Sequence, residues 1–372
     1  MTSTVDIGII IPLKEEFSEL HKQLPSPQKS EDKETGATDY SFEWGSYQCV
    51  TTFVGEMGLE KAALATDRFI KRCQPTTIVL LGIAGGIDED VKLGDVVVAK
   101  SVNNYLAKAK AVPGDNNSFT FDAGGDPYRC SDDIVRRIQN LDFAHSEIYH
   151  QWQENCTERQ RKTIAGEQLA ELLQKDYLRE TVKFTEGPIA SGPVVGAAKE
   201  FISWLKKNNR NYLALEMEGG GMLGAVYSKD NPEKTLILRG ISDFGDERKQ
   251  ELDQIGKGGI RRYAMNNAIA LLWKLLEAEV LPKESVQFQG KFQQLTLAKR
   301  NQLEDEITNL FNEDELIRVL RRMELDLNNI SARSNPYINR VSDLVEWLNR
   351  QGKVEEFISE AAKVNSNLNF NT

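Results

Sequence analysis

Short apolar runs without polar alternation recur along the first three quarters of the chain. They lie at residues 6–11, 76–81, 212–215 and 236–241. Runs of this length that are apolar on both faces are typical of strands buried inside a sheet. Between them, apolar residues recur at helical spacing at residues 58–72, 197–208 and 259–280. This alternation predicts an α/β fold in which helices flank a mixed central sheet.

The pattern changes after residue 280. Residues 281–295 lose the periodicity and are interpreted as a linker, whereas residues 296–372 are helical in pattern throughout. Within them Asn312, followed three residues later by Glu315, is a helix-capping sequence. We therefore predict a first domain at residues 1–280 and a small all-α bundle of five or six helices at residues 296–372.

Acidic residues follow three of the apolar runs. Glu16 follows the first run, Glu218 the third and Asp243 the fourth. A single acid in such a place is usually a solvated turn residue, or it complements the dipole of the next helix. Open α/β sheets, however, bind their ligands at the carboxyl ends of their strands. Acids at several strand ends therefore favour a binding or catalytic site.

Composition narrows the possible functions. The net charge of −10 disfavours a surface that neutralises nucleic-acid phosphates. The four cysteines form no CxxC pair and there are only three histidines, so we expect neither a metal site nor a disulfide framework. A signal peptide is not expected, because the first residues lack a basic segment and their apolar run is too short. No run approaches the ~20 apolar residues of a membrane span. We therefore expect a cytoplasmic protein that binds neither nucleic acid nor membrane.

A glycine-rich segment at residues 82–86 follows the second run and is predicted to be a loop. Glycines allow a backbone to approach a ligand closely. The segment matches neither the GxGxxG fingerprint nor a Walker loop, so no cofactor is expected. Three carboxylates beside such a loop suit the cleavage of a glycosidic bond through an oxocarbenium-like transition state. One acid could activate water, one could hold sugar hydroxyls and one could protonate the leaving group.

Five ordered motifs carry a family resemblance. They read DIGIIIPLKEE, LLGIAGGI with LGDVVVA, IASG, LALEMEGG and LRGISD, between residues 6 and 243. In this order they resemble the nucleoside phosphorylase/nucleosidase superfamily, and within it the 5′-methylthioadenosine/S-adenosylhomocysteine nucleosidases. The resemblance covers about residues 5–280.

The resemblance implies roles for individual residues. Glu16 would activate the water, and Asp243 would protonate N7 of the purine. Glu218 would bind the ribose hydroxyls while Met217 packs against the ribose. The other implied substrate-binding positions are Ser242, which would orient the aspartate, Gly85 and Gly86 of the glycine-rich segment, and Val195, where the family carries an aromatic residue against the base.

Two positions depart from the phosphorylases of the family. Where those enzymes hold phosphate with an arginine and a serine, this chain has Leu80 and Ile83, which cannot bind an anion through their side chains. The departure favours hydrolysis over phosphorolysis. The region at residues 103–183 carries the basic residues Arg159, Arg161 and Lys162. They are candidates to hold 5′-phosphates, although a charged helix is more often a solvated face.

The C-terminal helical segment resembles a prokaryotic effector-associated domain, a death-fold-like adaptor. This resemblance implies a protein partner that carries a similar domain and a role as an effector in antiviral defence. It also suggests cleavage of ATP to adenine and ribose triphosphate. A generic helical oligomerisation tail is the alternative. We also expect a homo-oligomer.

Three activities therefore stay open at this stage. The leading interpretation is an N-ribosyl hydrolase that acts on adenine nucleosides or nucleotides. The alternatives are a housekeeping methylthioadenosine/S-adenosylhomocysteine nucleosidase or phosphorylase, and a nucleotide sensor without turnover. The presence of Glu16 favours an enzyme, because a sensor does not need a residue to activate water.

Overall fold

The computed structural model describes residues 5–365 apart from 34, 115–117, 230–231, 284–294, 296, 324, 332–334 and 352. The chain divides into two compact units, Met1–Ser285 and Val286–Thr372. Most of the predicted linker, residues 284–294, lies outside the described residues. Of its remaining residues, Leu281 is buried in the core of the first unit and Leu295 in the core of the second.

The first unit is built around a ten-stranded mixed sheet. Its strands are β1 (Ile7–Ile11), β2 (Gln28–Glu31), β3 (Thr38–Trp44), β4 (Tyr47–Phe53), β5 (Thr77–Gly86), β6 (Val96–Asn104), β9 (Pro127–Arg129), β10 (Phe184–Ser191), β11 (Ala214–Glu216) and β12 (Lys234–Asp243). A separate hairpin is formed by β7 (Lys110–Pro113) and β8 (Phe119–Asp122). The strand order is β11-β10-β6-β12-β5-β1-β4-β3-β2, with β9 paired to β6. Because β11 also pairs with β5, five of the strands form a closed circuit of pairings.

Helices cover both faces of this sheet. They are α1 (Lys14–His21), α2 (Leu59–Cys73), α3 (Asp132–Gln139), α4 (Leu141–Ala144), α5 (Ser146–Thr163), α6 (Gly166–Gln174), α7 (Lys199–Asn208), α8 (Gly219–Tyr227), α9 (Lys249–Gln254) and α10 (Gly259–Glu277). Successive side chains of a strand point to opposite faces. Val96 accordingly belongs to the cluster that packs α10, and Val97 to the cluster that packs α2 and α8. The central strands are buried on both faces, which explains their continuous apolar runs.

The glycine-rich segment differs from its prediction, because residues 82–86 are the second half of β5 and not a loop. Gly82 and Gly85 pair with residues of β12. A Cβ at Gly82 would collide with the guanidinium of Arg239, and one at Gly85 would lie 2.9 Å from Oδ1 of Asp243. The glycines therefore make room for polar side chains of the neighbouring strand.

The second unit is helical. Its described residues form α11 (Leu297–Leu310), α12 (Glu313–Arg322), a 3₁₀ turn (Leu327–Asn329), α13 (Tyr337–Gln351) and α14 (Val354–Val364) around a core of their own. The predicted cap of α12 is confirmed, because Oδ1 of Asn312 accepts a hydrogen bond from the Glu315 amide at 3.0 Å. The predicted fold class, a mixed α/β sheet domain followed by helices, is confirmed. Within the described residues, no helix has both the length and the apolar character needed to cross a bilayer.

Candidate active site

A cavity of about 270 Å³ opens at the carboxyl ends of the central strands. β5 and β12 end at this rim, and the short β11 runs antiparallel to β5 and ends beside it, so residues distant in sequence meet here. The cavity brings together the following predicted site residues: Glu16, Gly85, Val195, Met217, Glu218, Ser242 and Asp243. The three acids singled out from the sequence therefore share one cavity.

Glu16 is positioned by the start of α1 and by the end of β5. Its Oε2 accepts a hydrogen bond from the Leu13 amide at 3.1 Å, and its Oε1 accepts one from the Ile83 amide at 3.0 Å. The residue is only 4% exposed. Burial raises the pKa of Glu16 to about 7, although the positive charge of Arg239 acts in the opposite direction. The carboxyl group is therefore poised to exchange a proton near neutral pH, as a general base requires.

Arg239, in the middle of β12, holds the acids at the floor of the site. It is fully buried, its Nη2 donates to Oε2 of Glu218 at 3.0 Å, and the same nitrogen forms an ion pair with Glu216. Glu216 also accepts hydrogen bonds from the amides of Glu218 and Gly219. Burial raises the pKa of Glu218, against the pull of Arg239. The buried cation thus compensates two carboxylates that burial alone would make unfavourable.

Arg239 is not among the residues predicted from the sequence. It lies inside the apolar run at residues 236–241, whose pattern predicts only a strand. A charged residue inside such a run is itself a signal, because buried charges are retained only when they are paired. That reasoning predicts a buried acid near Arg239, although it does not identify Glu216 and Glu218.

Asp243 ends β12 and is held by three donors. Its Oδ1 accepts from the Gly245 amide at 2.8 Å, and its Oδ2 accepts from the Ser242 hydroxyl at 3.1 Å and from Nζ of Lys249 at 2.6 Å. The Ser242 contact agrees with its implied orienting role. Lys249, the first residue of α9, also lines the cavity and was not predicted from the sequence. Only the fold shows that a residue six positions after the aspartate turns back onto it.

Four predicted residues lie elsewhere. Gly86 does not line the cavity but pairs with Ala214 of β11. The three basic residues of α5 also lie outside the cavity lining. Arg159 donates to Oδ1 of Asn267 at 2.8 Å, and Lys162 pairs with Glu158 at 2.6 Å. Arg161 lines a different cavity. The lining of this cavity therefore does not support their assignment as 5′-phosphate ligands, which stays a prediction.

The chain belongs to the Phosphorylase superfamily, whose family model matches residues 6–277. A second family model, Effector-associated domain 1, matches residues 293–370. The recognition of both parts from their sequence motifs is thus confirmed.

Two relatives of this chain are named as nucleosidases. A 5′-methylthioadenosine/S-adenosylhomocysteine nucleosidase of Desulfotalea psychrophila is 24% identical over 263 residues, which are 68% of this chain and 94% of that protein. A Death domain-containing ATP nucleosidase of Amphimedon queenslandica is 24% identical over 201 residues, which are 53% of this chain but only 34% of that protein.

Solved structures of the same class share the fold. The S-adenosylhomocysteine nucleosidase of Streptococcus pyogenes, in complex with 5-methylthiotubericidin, superposes with a TM-score of 0.52 at 21% identity, covering 75% of this chain and 98% of that one. The corresponding enzyme of Colwellia psychrerythraea, in complex with adenine, gives a TM-score of 0.53 at 21% identity over 75% of this chain and 97% of that one. The predicted enzyme class, a nucleosidase of this superfamily, is confirmed.

Proposed function

We propose that this protein is an N-ribosyl hydrolase that releases adenine from an adenine nucleotide, with ATP as the leading substrate. The observation that carries the proposal is the shared cavity, in which the buried Glu16, with its pKa raised to about 7, lies among the same lining residues as Glu218 and Asp243. The choice of ATP rests on the Amphimedon relative, which is named an ATP nucleosidase and joins this type of domain to a death domain.

The arrangement suggests how the reaction proceeds. The ribose would lie against Glu218 and Met217, and the purine against Val195 and Asp243. A water molecule deprotonated by Glu16 would attack C1′ as the bond to N9 breaks and its electron pair moves into the purine. A proton delivered to N7 by Asp243 would neutralise the leaving base.

Lys249 is placed to supply the proton that Asp243 delivers to the purine. Three donors converge on the Asp243 carboxyl group. The proton that Asp243 delivers to N7 needs a source within reach of this carboxyl group. The Lys249 ammonium, 2.6 Å away, is a proton source in direct contact with it. We propose that Lys249 supplies this proton, which it regains from solvent after turnover.

Hydrolysis is favoured over phosphorolysis by the two positions that depart from the phosphorylases. Leu80 is fully buried in the core, and Ile83 presents an apolar side chain to the cavity while its amide donates to Glu16. Neither side chain can hold inorganic phosphate.

The proposal is tested by incubating the full-length protein with ATP, adenosine and 5′-methylthioadenosine and separating the products by chromatography. We expect adenine and ribose triphosphate from ATP at the same rate with and without inorganic phosphate. Glu16→Gln should be slower by ~10²-fold or more, which excludes a contaminating activity. Ribose 1-phosphate as the main product would show phosphorolysis. If none of the compounds releases adenine, the protein binds its ligand without turnover.

A methylthioadenosine nucleosidase is the second candidate. Pro12, Leu13 and Met57 contribute apolar surface to the cavity and could cover an apolar 5′ group. In the same assay, rapid cleavage of methylthioadenosine without cleavage of ATP would favour this candidate.

For the second unit we propose a recruiting role in a defence system. The match to Effector-associated domain 1 supports it, and so does the death domain in the name of the Amphimedon relative. Helix α12 exposes Arg318, Arg321 and Arg322, which would suit a partner surface of opposite charge. The homo-oligomer expected from the sequence stays a prediction.

A further inference from the structure

A second cavity adjoins the active-site cavity. Its volume is about 220 Å³, and it lies between α1 and the loop that leads into α10. The two cavities share four lining residues: Glu15, Glu16, Ile83 and Arg261. A ligand bound beside Glu16 could therefore extend past Arg261 into the second cavity.

Positive charge in this cavity is not fully compensated. Its lining includes Lys257, Arg261 and Arg262. Among the residues that the structure describes, Lys257 and Arg262 form no ion pair. Arg262 instead donates to the backbone carbonyls of Lys257 and Gly256, at 2.7 and 2.8 Å. These bonds hold the loop while leaving the charge of the guanidinium available to a ligand.

The acids of the lining offset this charge only in part, although Glu19 also interacts electrostatically with Arg262. Glu19 is held at 2.6 Å by Lys22, and it also accepts a hydrogen bond from Asn266. Glu15 pairs with Arg261, but its side chain is 63% exposed, and ion pairs that exposed are weak. Glu16 has a pKa of about 7 and is therefore only partly charged near neutral pH.

We propose that the second cavity binds the 5′-polyphosphate of the nucleotide whose adenine is removed at Glu16 and Asp243. This inference rests on the proposed function and names the residues that select its substrate. Lys257 and Arg262 meet the phosphates. Arg261 exchanges its two partners, the exposed Glu15 and, at 4.0 Å, Asp253, for phosphate oxygens. Charge-assisted contacts to phosphate are among the strong hydrogen bonds, and guanidinium groups can make them in pairs.

The test compares ATP, AMP and adenosine as substrates of the wild type and of the double variant Lys257→Met/Arg261→Met. In the wild type we expect the KM to fall from adenosine to AMP to ATP. In the variant the KM for ATP should rise at least about tenfold more than the KM for adenosine, since each lost charge-assisted contact weakens binding by about tenfold or more.

A matched control removes the same charges elsewhere. Lys71→Met/Arg136→Met takes one lysine and one arginine from side chains that are 71% and 74% exposed and that line neither cavity. It should change neither KM. Equal effects of the Lys257/Arg261 variant on ATP and adenosine, or an equal effect of the control on ATP, would overturn the subsite.

Two further measurements separate failure of the subsite from failure of the proposed function. If the wild type releases no adenine, ATP and adenosine binding are measured by calorimetry in Glu16→Gln with and without the double substitution. Selective loss of ATP affinity then supports the subsite although the activity assignment fails, and equal affinities overturn both. If millimolar inorganic phosphate accelerates adenine release and the double variant abolishes the effect, the cavity holds a free phosphate co-substrate and the polyphosphate assignment is wrong.

Discussion

The substitution Glu16→Gln should make the protein less active and, at neutral pH, more stable. The folded protein holds Glu16 with a pKa of about 7, against an ordinary value of 4.5, chiefly because the carboxyl group is buried. Between these two pH values the folded state binds a proton that the unfolded state has released. Stability contributed through this group is therefore present below pH 4.5 and is lost as the pH rises towards 7.

The size of the effect follows from the same two values. At about 1.4 kcal/mol for each pH unit, a rise in pKa from 4.5 to about 7 corresponds to roughly 3 kcal/mol of stability lost when Glu16 ionises. Glutamine keeps the shape of the side chain and cannot ionise. The difference in unfolding free energy between Glu16→Gln and wild type should therefore increase by about 3 kcal/mol from pH 4.5 to pH 8.

Urea unfolding of both proteins at several pH values measures this difference. Tryptophan fluorescence reports mainly on the first unit, because Trp347 is the one tryptophan of the five that lies in the second. Glu60→Gln, which replaces an exposed glutamate of α2, is the control and should show no such trend. A difference that stays constant within about 1 kcal/mol across this range would refute the raised pKa. Because Glu16 acts in its ionised form, kcat/KM of the wild type should fall at acidic pH and should reach half of its plateau near pH 7.

Five further predictions concern the rest of the site and the second unit. Arg239→Met should lower the unfolding free energy by about 3–5 kcal/mol, because it leaves two carboxylates buried without their cation. Asp243→Asn should nearly abolish adenine release. The wild type should prefer adenosine to inosine by about 1–3 kcal/mol in kcat/KM, because a 6-oxo group cannot donate a hydrogen bond to the aspartate as a 6-amino group does. A chain ending at residue 285 should stay folded and active, whereas reversal of Arg318, Arg321 and Arg322 to glutamate should prevent co-purification with proteins that carry effector-associated domains.

Specific outcomes would contradict these predictions. Arg72→Met breaks a less buried ion pair with Asp39 and should lower the unfolding free energy less than Arg239→Met does. Equal losses would contradict the role of Arg239 in compensating the two buried carboxylates. Equal turnover of inosine and adenosine would remove Asp243 from base recognition. A truncated chain that is unfolded would make the second unit a structural part of the enzyme. A large fall in melting temperature on charge reversal would mean that the three exposed arginines stabilise the bundle.

The fold class and the positions of the acids follow from the sequence pattern. Strands buried on both faces require continuous apolar runs, so β1, β5 and β12 could be located from the apolar pattern alone. Ligands of such sheets bind at strand ends, which led to Glu16, Glu218 and Asp243 without any coordinates. The capping of α12 was equally local, because Asn312 and Glu315 bond to each other's backbone within one turn.

The surroundings of those acids depend on the tertiary structure. Arg239 compensates Glu216 and Glu218 because β12 and β11 both pair with β5, and the high pKa of Glu16 comes from burial by elements distant in sequence. The partners of the basic residues also depend on the tertiary structure. Lys249 reaches Asp243, and Arg261 lines both cavities, whereas Arg159 is turned to Asn267. A sequence pattern can place a charge on a helix, but the partner that charge meets depends on how the helix packs, and packing belongs to the whole fold.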